Sequence, residues 1–240
     1  MFTKWTTAPF RSTLPSPSGR GAGVRESSDA GNCGKLDKSS MKLLAGVLLA
    51  LVLAACGDTG PKFQLTDITG ADFARDVRLT DHNGKPRTLA EFKGKVVVVF
   101  FGYTHCPDVC PVTMSELATV ASELGKDAVR MQVLFITVDP GRDTPEVLAR
   151  YVPAFNPSFL GLYGDAEATA RTGKEFKVFF QKQPAPGGGY SVDHSAGTYI
   201  YDTAGRIRLF GSYGQGAAKM LADIQTLLAQ ANDAGTAPAK

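Results

Sequence analysis

Cys106 and Cys110 sit in Gly102-Tyr103-Thr104-His105-Cys106-Pro107-Asp108-Val109-Cys110-Pro111 and could do chemistry together. Four residues apart on a helix, their sulfurs would lie on one face, with Cβ atoms roughly 5–6 Å apart. That is close enough for two thiolates to share one metal ion, and a small adjustment would let them form a disulfide. The chemistry is therefore soft-metal binding, thiol redox, or both. Pro107 suits a first helical turn, where its missing N–H would find no partner, so the spacing predicts a helix starting at Cys106 or just after. A helix N-terminus lowers a thiol pKa while Asp108 between the two opposes this, which predicts moderately activated thiols. In an arbitrary helix such a pair reads as core. Here it follows the apolar run 96–101, at the strand-to-helix junction where an open α/β sheet places its sites.

The elements that must position this pair can be read along the chain. Residues 96–101 are too few to span a membrane and rich in β-branched side chains, which predicts a buried strand. Ahead of them, residues 71–80 and 85–89 bracket Asp81-His82-Asn83-Gly84, and Asn-Gly is the strongest short hairpin signal. His82 is expected to be an ordinary solvated turn residue. After the motif, Met114, Leu117, Val120, Ala121 and Leu124 are spaced for one buried helix face, and Gly125 is placed to end it. Met114 could bring a thioether toward a metal, but at that spacing it reads as core. Residues 131–138 predict a second buried strand ending at Asp139-Pro140-Gly141-Arg142-Asp143-Thr144-Pro145. Thr144 and Pro145 are a helix N-cap and first position, and that helix runs on until Pro157 stops it. Asp139 and Asp143 could be metal ligands, a docking surface or solvated turn carboxylates; the last is the default, and their strand-end position brings docking level with it.

Residues 159–163 predict a short strand and 166–180 a helix. Residues 183–189, rich in Pro and Gly, predict a mobile loop leading to Asp193-His194-Ser195. Residues 198–202 and 206–211 form a hairpin. Met220, Leu221, Ile224, Leu227 and Leu228 mark a closing amphipathic helix. The order implies an α/β fold: a mixed sheet flanked by helices, with an N-terminal β-hairpin and a C-terminal antiparallel hairpin plus helix. A cysteine pair opening the helix after the first central strand makes it thioredoxin-like.

The flanks supply context. Residues 1–40, rich in Ser, Gly and charge, read as disordered or as the artefact of an upstream start codon. Residues 43–55 are an unbroken apolar and small-residue run, short of the roughly 20 residues a spanning helix needs. This fits residues 41–55 as a secretory signal peptide. Leu53-Ala54-Ala55-Cys56 resembles a bacterial lipobox, which implies that Cys56 becomes the acylated first residue; an uncleaved signal anchor is the alternative. Either places the domain outside the cytoplasm on a membrane. Residues 56–70 then form a tether, 71–232 the domain and 233–240 a disordered tail. The formal charge of +3 comes from the leader, because residues 1–55 hold seven of the 26 basic and three of the 23 acidic residues, leaving 19 against 20. Nothing in that balance favours nucleic acid. With Cys33 lost and Cys56 lipidated, only Cys106 and Cys110 remain, and a bridge across so short a loop adds little stability.

Phe101-Gly102-Tyr103-Thr104, Cys106-Pro107-Asp108-Val109-Cys110-Pro111, Val138 through Pro145, and Asp193-His194-Ser195 closely resemble the Sco/SenC family over residues 77–228. Members of that family are copper chaperones that assist assembly of the dinuclear copper centre in cytochrome c oxidase subunit two. The resemblance implies Cys106, Cys110 and His194 as ligands for Cu(I) and Cu(II), subunit two as recipient, an unidentified copper donor, and a lipid-anchored location on the periplasmic face of the bacterial cytoplasmic membrane. His194 lies 84 residues beyond Cys110, unlike the close spacing of a zinc finger. A histidine just after a Gly-rich loop could nonetheless swing toward thiolates, and two thiolates suit Cu(I) while an added imidazole lets the site hold Cu(II). His105 should point the other way, as a tuning or surface residue. The alternative from the enzyme class is an extracytoplasmic thiol-disulfide oxidoreductase keeping client cysteines reduced. Three residues between the cysteines, and no proline next to His194, distinguish the chain from ordinary thioredoxins.

Overall fold

Strands with hardly a polar residue must be covered on both faces, and the two such runs in this chain lie side by side at the centre of the fold. The computed structural model describes residues 60–185 and 187–236. In chain order its elements are β1 (Thr66–Asp67), β2 (Leu79–Asp81), β3 (Pro86–Arg87), β4 (Val96–Gly102), α1 (Val109–Glu123), β5 (Met131–Thr137), α2 (Pro145–Phe155), β6 (Leu160–Tyr163), α3 (Ala166–Glu175), β7 (Phe180–Pro184), β8 (Tyr190–His194), β9 (Thr198–Tyr201), β10 (Ile207–Gly211) and α4 (Ala217–Thr236). Eight strands form one sheet in the order β1-β10-β9-β4-β5-β6-β2-β3, and β7 and β8 form a separate two-stranded sheet. β4, β5 and β6 run parallel, joined through α1 and α2, while β9 and β10 are antiparallel additions on the β4 side. This is the mixed, helix-flanked sheet expected of a thioredoxin-like domain.

β4 and β5 are buried along their whole length, and register pairs Gly102 with Thr137, so both strands end at the same edge. Thr144 caps α2 through Oγ1, which accepts the Val147 N–H, with Pro145 at the first position as predicted. Gly102 closes β4 where a side chain has no room: a Cβ there would lie 2.8 Å from Phe135 Cε2 and 2.9 Å from Cys110 Sγ. The α4 face formed by Met220, Ile224, Leu227 and Leu228 is buried as its spacing requires. Among the described residues no helix is long and apolar enough to cross a membrane.

Several boundaries differ from the sequence reading. The extension 1–40, the signal peptide 41–55 and Cys56 lie outside the described residues. The expected tether is part of the domain from residue 64 onward. The buried Asp223 carboxylate accepts the N–H groups of Gln64 and Leu65 at 2.8–3.0 Å, Leu65 is buried, and β1 pairs with β10. The N-terminal hairpin is shorter than expected, because Ala74 adopts φ 55° and donates to Glu175 O, turning the chain across the end of α3. α3 stops at Glu175, well before residue 180, where Lys177 takes φ 54°. Of the Pro/Gly stretch, Gln183 and Pro184 belong to β7 and the glycines 187–189 keep positive φ in a turn, which tops a hairpin in which Phe180 pairs with His194 and Pro184 with Tyr190. α4 continues to Thr236, beyond the point where the tail was expected to fray.

His82 also departs from expectation. Its backbone N–H donates to Gly161 O at 2.9 Å and its ring Nδ1 accepts the Gly161 N–H at 3.0 Å, so it closes the β2–β6 edge and is half-buried. Burial holds its pKa below the usual histidine value. Unfolding therefore takes up a proton on the acid side, and the stabilisation from His82, full above about pH 6.5, is lost as pH falls through the lowered folded value. His82→Ala should lower the melting temperature at pH 7.5, and the gap to wild type should narrow on acidification to pH 5; a gap that widens would contradict this role. Gly102→Ala should destabilise the fold by about 1–3 kcal/mol through overpacking, read as a lower denaturation midpoint.

Candidate metal centre

Parallel pairing brings the loop after β4 and the loop after β5 to one edge. Val138 N–H donates to Gly102 O at 2.8 Å, and the Asp143 carboxylate accepts the Thr104 N–H at 3.0 Å and the hydroxyls of Thr104 and Thr137 at 2.6 Å each. Cys106 N–H closes a turn onto Tyr103 O at 3.2 Å. The helix begins later than the spacing suggested: Asp108 is the N-cap, α1 starts at Val109, and Cys106 lies in the preceding turn. The two cysteines thus do not share a helix face. Instead the Asp108 side chain makes no capping bond, and the Cys110 N–H donates to Cys106 Sγ at 3.4 Å. A sulfur stands where a capping oxygen usually would.

This geometry divides the thiols. Cys106 is partly exposed and Cys110 fully buried, and both are free. The Cys110 thiol donating to it holds the Cys106 thiol well down, at about 5, helped by the Cys110 and Asp108 N–H groups against an opposing burial effect. The same contact, with burial, pushes Cys110 far up. One sulfur is a partly exposed, acidified thiol and the other a buried thiol, rather than two moderately activated groups.

His194 closes β8, and its Nε2 lies 3.5 Å from Cys110 Sγ. Its Nδ1 is 3.0 Å from Ser195 O, an acceptor only, so Nδ1 carries the proton and the Nε2 lone pair faces the sulfurs. The ring rests edge-on against Tyr103 and Phe100, with centroids 5.8 and 6.4 Å away. Neither aromatic stood out in the sequence as a site residue, although Tyr103 lies within the cysteine motif and Phe100 in the buried strand before it. One donor atom from each of Cys106, Cys110 and His194 lies within 4.8 Å of the others. A metal about 2.3 Å from each sulfur and about 2.0 Å from the nitrogen wants trigonal donors about 4 Å apart, so a small closure suffices. Two soft sulfurs and one imidazole fit a soft or borderline cation.

The remaining candidates fall elsewhere. The His105 side chain is 54% exposed, and its Nδ1 lies 3.1 Å from Thr104 Oγ1, outside the sulfur cluster. Met114 is fully buried core. Asp139 and Asp143 correct the docking expectation: both are buried, at 0% and 1% exposure, so neither offers a carboxylate to a passing partner. Asp143 spends its oxygens on Thr104 and Thr137, and Asp139 on Arg142 and Tyr190. Strand-end carboxylates look alike in sequence whether they face solvent or bridge two loops, and only the pairing of β4 with β5 decides.

A sequence profile of the SCO1/SenC family matches residues 65–229. Among curated relatives, a mitochondrial SCO2 protein of Saccharomyces cerevisiae is 43% identical over 131 residues, covering 53% of this chain and 44% of its own. A SCO2-like protein of Rickettsia felis is 36% identical over 133 residues, covering 55% and 65%. The chain spans about half the length of the curated mitochondrial SCO2 relatives it matches. Among solved structures, copper-bound ScoI of Bradyrhizobium japonicum shares 39% identity, with a TM-score of 0.59 over 64% of this chain and 98% of that one. Apo Sco1 of Thermus thermophilus shares 42%, with a TM-score of 0.61 over 72% and 100%. Cysteine loop, strand-borne histidine and sheet order all fall inside the matched span. The chain belongs to the SCO1/SenC family.

Proposed function

We propose that this chain binds copper through Cys106, Cys110 and His194 and delivers it to the dinuclear copper centre of cytochrome c oxidase subunit two during assembly. The observation that carries the copper reading is the gathering of two sulfurs and one imidazole nitrogen within 4.8 Å. Relatives from B. japonicum and yeast solved with copper bound support it, and the family resemblance supports the oxidase as client. Lipidation of Cys56 would hold the domain on the periplasmic face of the cytoplasmic membrane, where an unidentified donor loads it.

Delivery is ligand exchange. Cys106, partly exposed and acidified, is the sulfur an acceptor can approach, and Cys110 is held deep in the site. Two thiolates satisfy Cu(I), and His194 adds the nitrogen that Cu(II) needs. Incoming acceptor ligands would replace the imidazole first, since it is neutral and sits on an element outside the main sheet. A second reading, thiol-disulfide exchange with client cysteines, is favoured by the same thiol asymmetry. The Cys106 thiolate would attack a client disulfide to form a mixed disulfide, and Cys110 would resolve it, leaving this pair oxidised and the client reduced.

Copper titration of the reduced chain should give about one metal per chain and a visible thiolate-to-Cu(II) band. His194→Ala should lose that band while Cu(I) stays bound by the dithiol. Undiminished Cu(II) binding in the variant would remove His194 from the site. In the metal-free chain, iodoacetamide should modify Cys106 with a rate that follows a midpoint near pH 5 and is flat above pH 7, leaving native Cys110 unmodified, as read by mass spectrometry. A midpoint near 8.5 would refute the activated thiolate.

A further inference from the structure

The β7–β8 hairpin that carries His194 has no strand partner in the main sheet. A lone two-stranded hairpin is marginal in water, so its position depends on what ties it to the body. At its far end, Tyr190 is held by residues of the loop after β5. The Tyr190 hydroxyl donates to Asp139 Oδ1 at 2.9 Å, and Arg142 Nη1 donates to Tyr190 O at 2.9 Å. The Arg142 guanidinium also lies 3.7 Å from the Tyr190 ring centroid, and its Nε donates to the other Asp139 oxygen. Lys182, across the hairpin, donates to the Tyr190 hydroxyl at 3.2 Å and stands 3.5 Å from Asp139. Asp139 is wholly buried, so these are its means of offsetting the cost of a desolvated charge.

Tyr190 and His194 lie on one face of a five-residue strand, about 13 Å apart. The strand is a short rod that seats Val192 in the core at its middle, is fastened through Tyr190 at one end and carries a metal ligand at the other. We propose that Asp139, Arg142 and Tyr190 form a latch that positions His194, so that fastening the hairpin sets how long copper stays bound. This rests on the copper reading above. These three are positioning residues: they touch no sulfur and act through the hairpin. The latch gives the loop after β5 a purpose separate from the one Asp143 serves, since Asp143 fixes the cysteines and Asp139 fixes the imidazole. An acceptor that prises the hairpin from Asp139 would loosen the imidazole without touching it.

Tyr190→Phe removes the hydroxyl and keeps the stacked ring. In the full chain loaded with Cu(II), this variant should keep the thiolate-to-Cu(II) band but release the metal to excess EDTA about tenfold faster than wild type, the scale of one lost hydrogen bond to a charged group. In a His194→Ala background loaded with Cu(I), adding Tyr190→Phe should leave release to bathocuproine unchanged, because the latch has no ligand left to position. In the metal-free chain, amide hydrogen exchange across residues 190–194 should quicken while β4 and β5 stay protected. Wild-type release by Tyr190→Phe, or an equal acceleration in the His194→Ala background, would overturn the latch. Should the wild-type chain take up no copper, the copper reading fails, and the exchange measurement still decides whether Tyr190 fastens the hairpin.

Discussion

The Asp143 carboxylate decides which parts of this site can move. Buried at the edge where β4 and β5 end, it accepts one N–H and two hydroxyls from Thr104 and Thr137, and through Thr104 it binds the turn that bears Cys106. Freeing that turn would strand a carboxylate in the interior at a cost of several kcal/mol. The cysteines are thereby fixed to the rigid centre of the fold. Cys110 is further confined by Gly102, whose missing side chain leaves the space the sulfur occupies.

The imidazole is held on other terms. Its hairpin stands outside the eight-stranded sheet and meets the body through the buried Val192, the polar contacts of Tyr190 and the edges of two aromatic rings. A dithiol that stays in place and a nitrogen on a separately fastened arm suit a site that must grip a cation and then give it up. A permanent electron-transfer centre would want all its donors on the rigid part. The thiol pair is likewise unequal by construction, since Cys106 accepts the Cys110 N–H in the first turn of α1 while the Cys110 side chain is packed against the core.

Much of this arrangement was legible from residue types and spacing. The buried strands, the Thr144-Pro145 helix start, the C-terminal hairpin and the face of α4 follow from local periodicity and caps, which depend on neighbours in the chain. The cysteine pair was legible as chemistry, but its geometry was not: spacing of four suggested a shared helix face, whereas the turn at Tyr103 delays the helix to Val109. His194 became a candidate only through family resemblance, because its meeting with Cys110 spans 84 residues and depends on sheet topology. The β7–β8 hairpin is hidden in the sequence for a related reason. Pro and Gly at its tip suppress the local signal, and what makes strands of residues 180–184 and 190–194 is their pairing with each other. The burial of Asp139 and Asp143 and the role of His82 likewise depend on contacts distant in sequence, which no window of neighbours contains.

The bond from His194 Nδ1 to the carbonyl of the next residue, Ser195, has an effect on proton traffic. Because donor and acceptor are adjacent on the chain, the contact rides with the arm wherever the hairpin goes, and the ring keeps the same tautomer docked or undocked. Arrival and departure of the nitrogen then involve no exchange of hydrogen between the two ring positions. Protons released on loading would come from the sulfurs, chiefly from the buried Cys110 thiol.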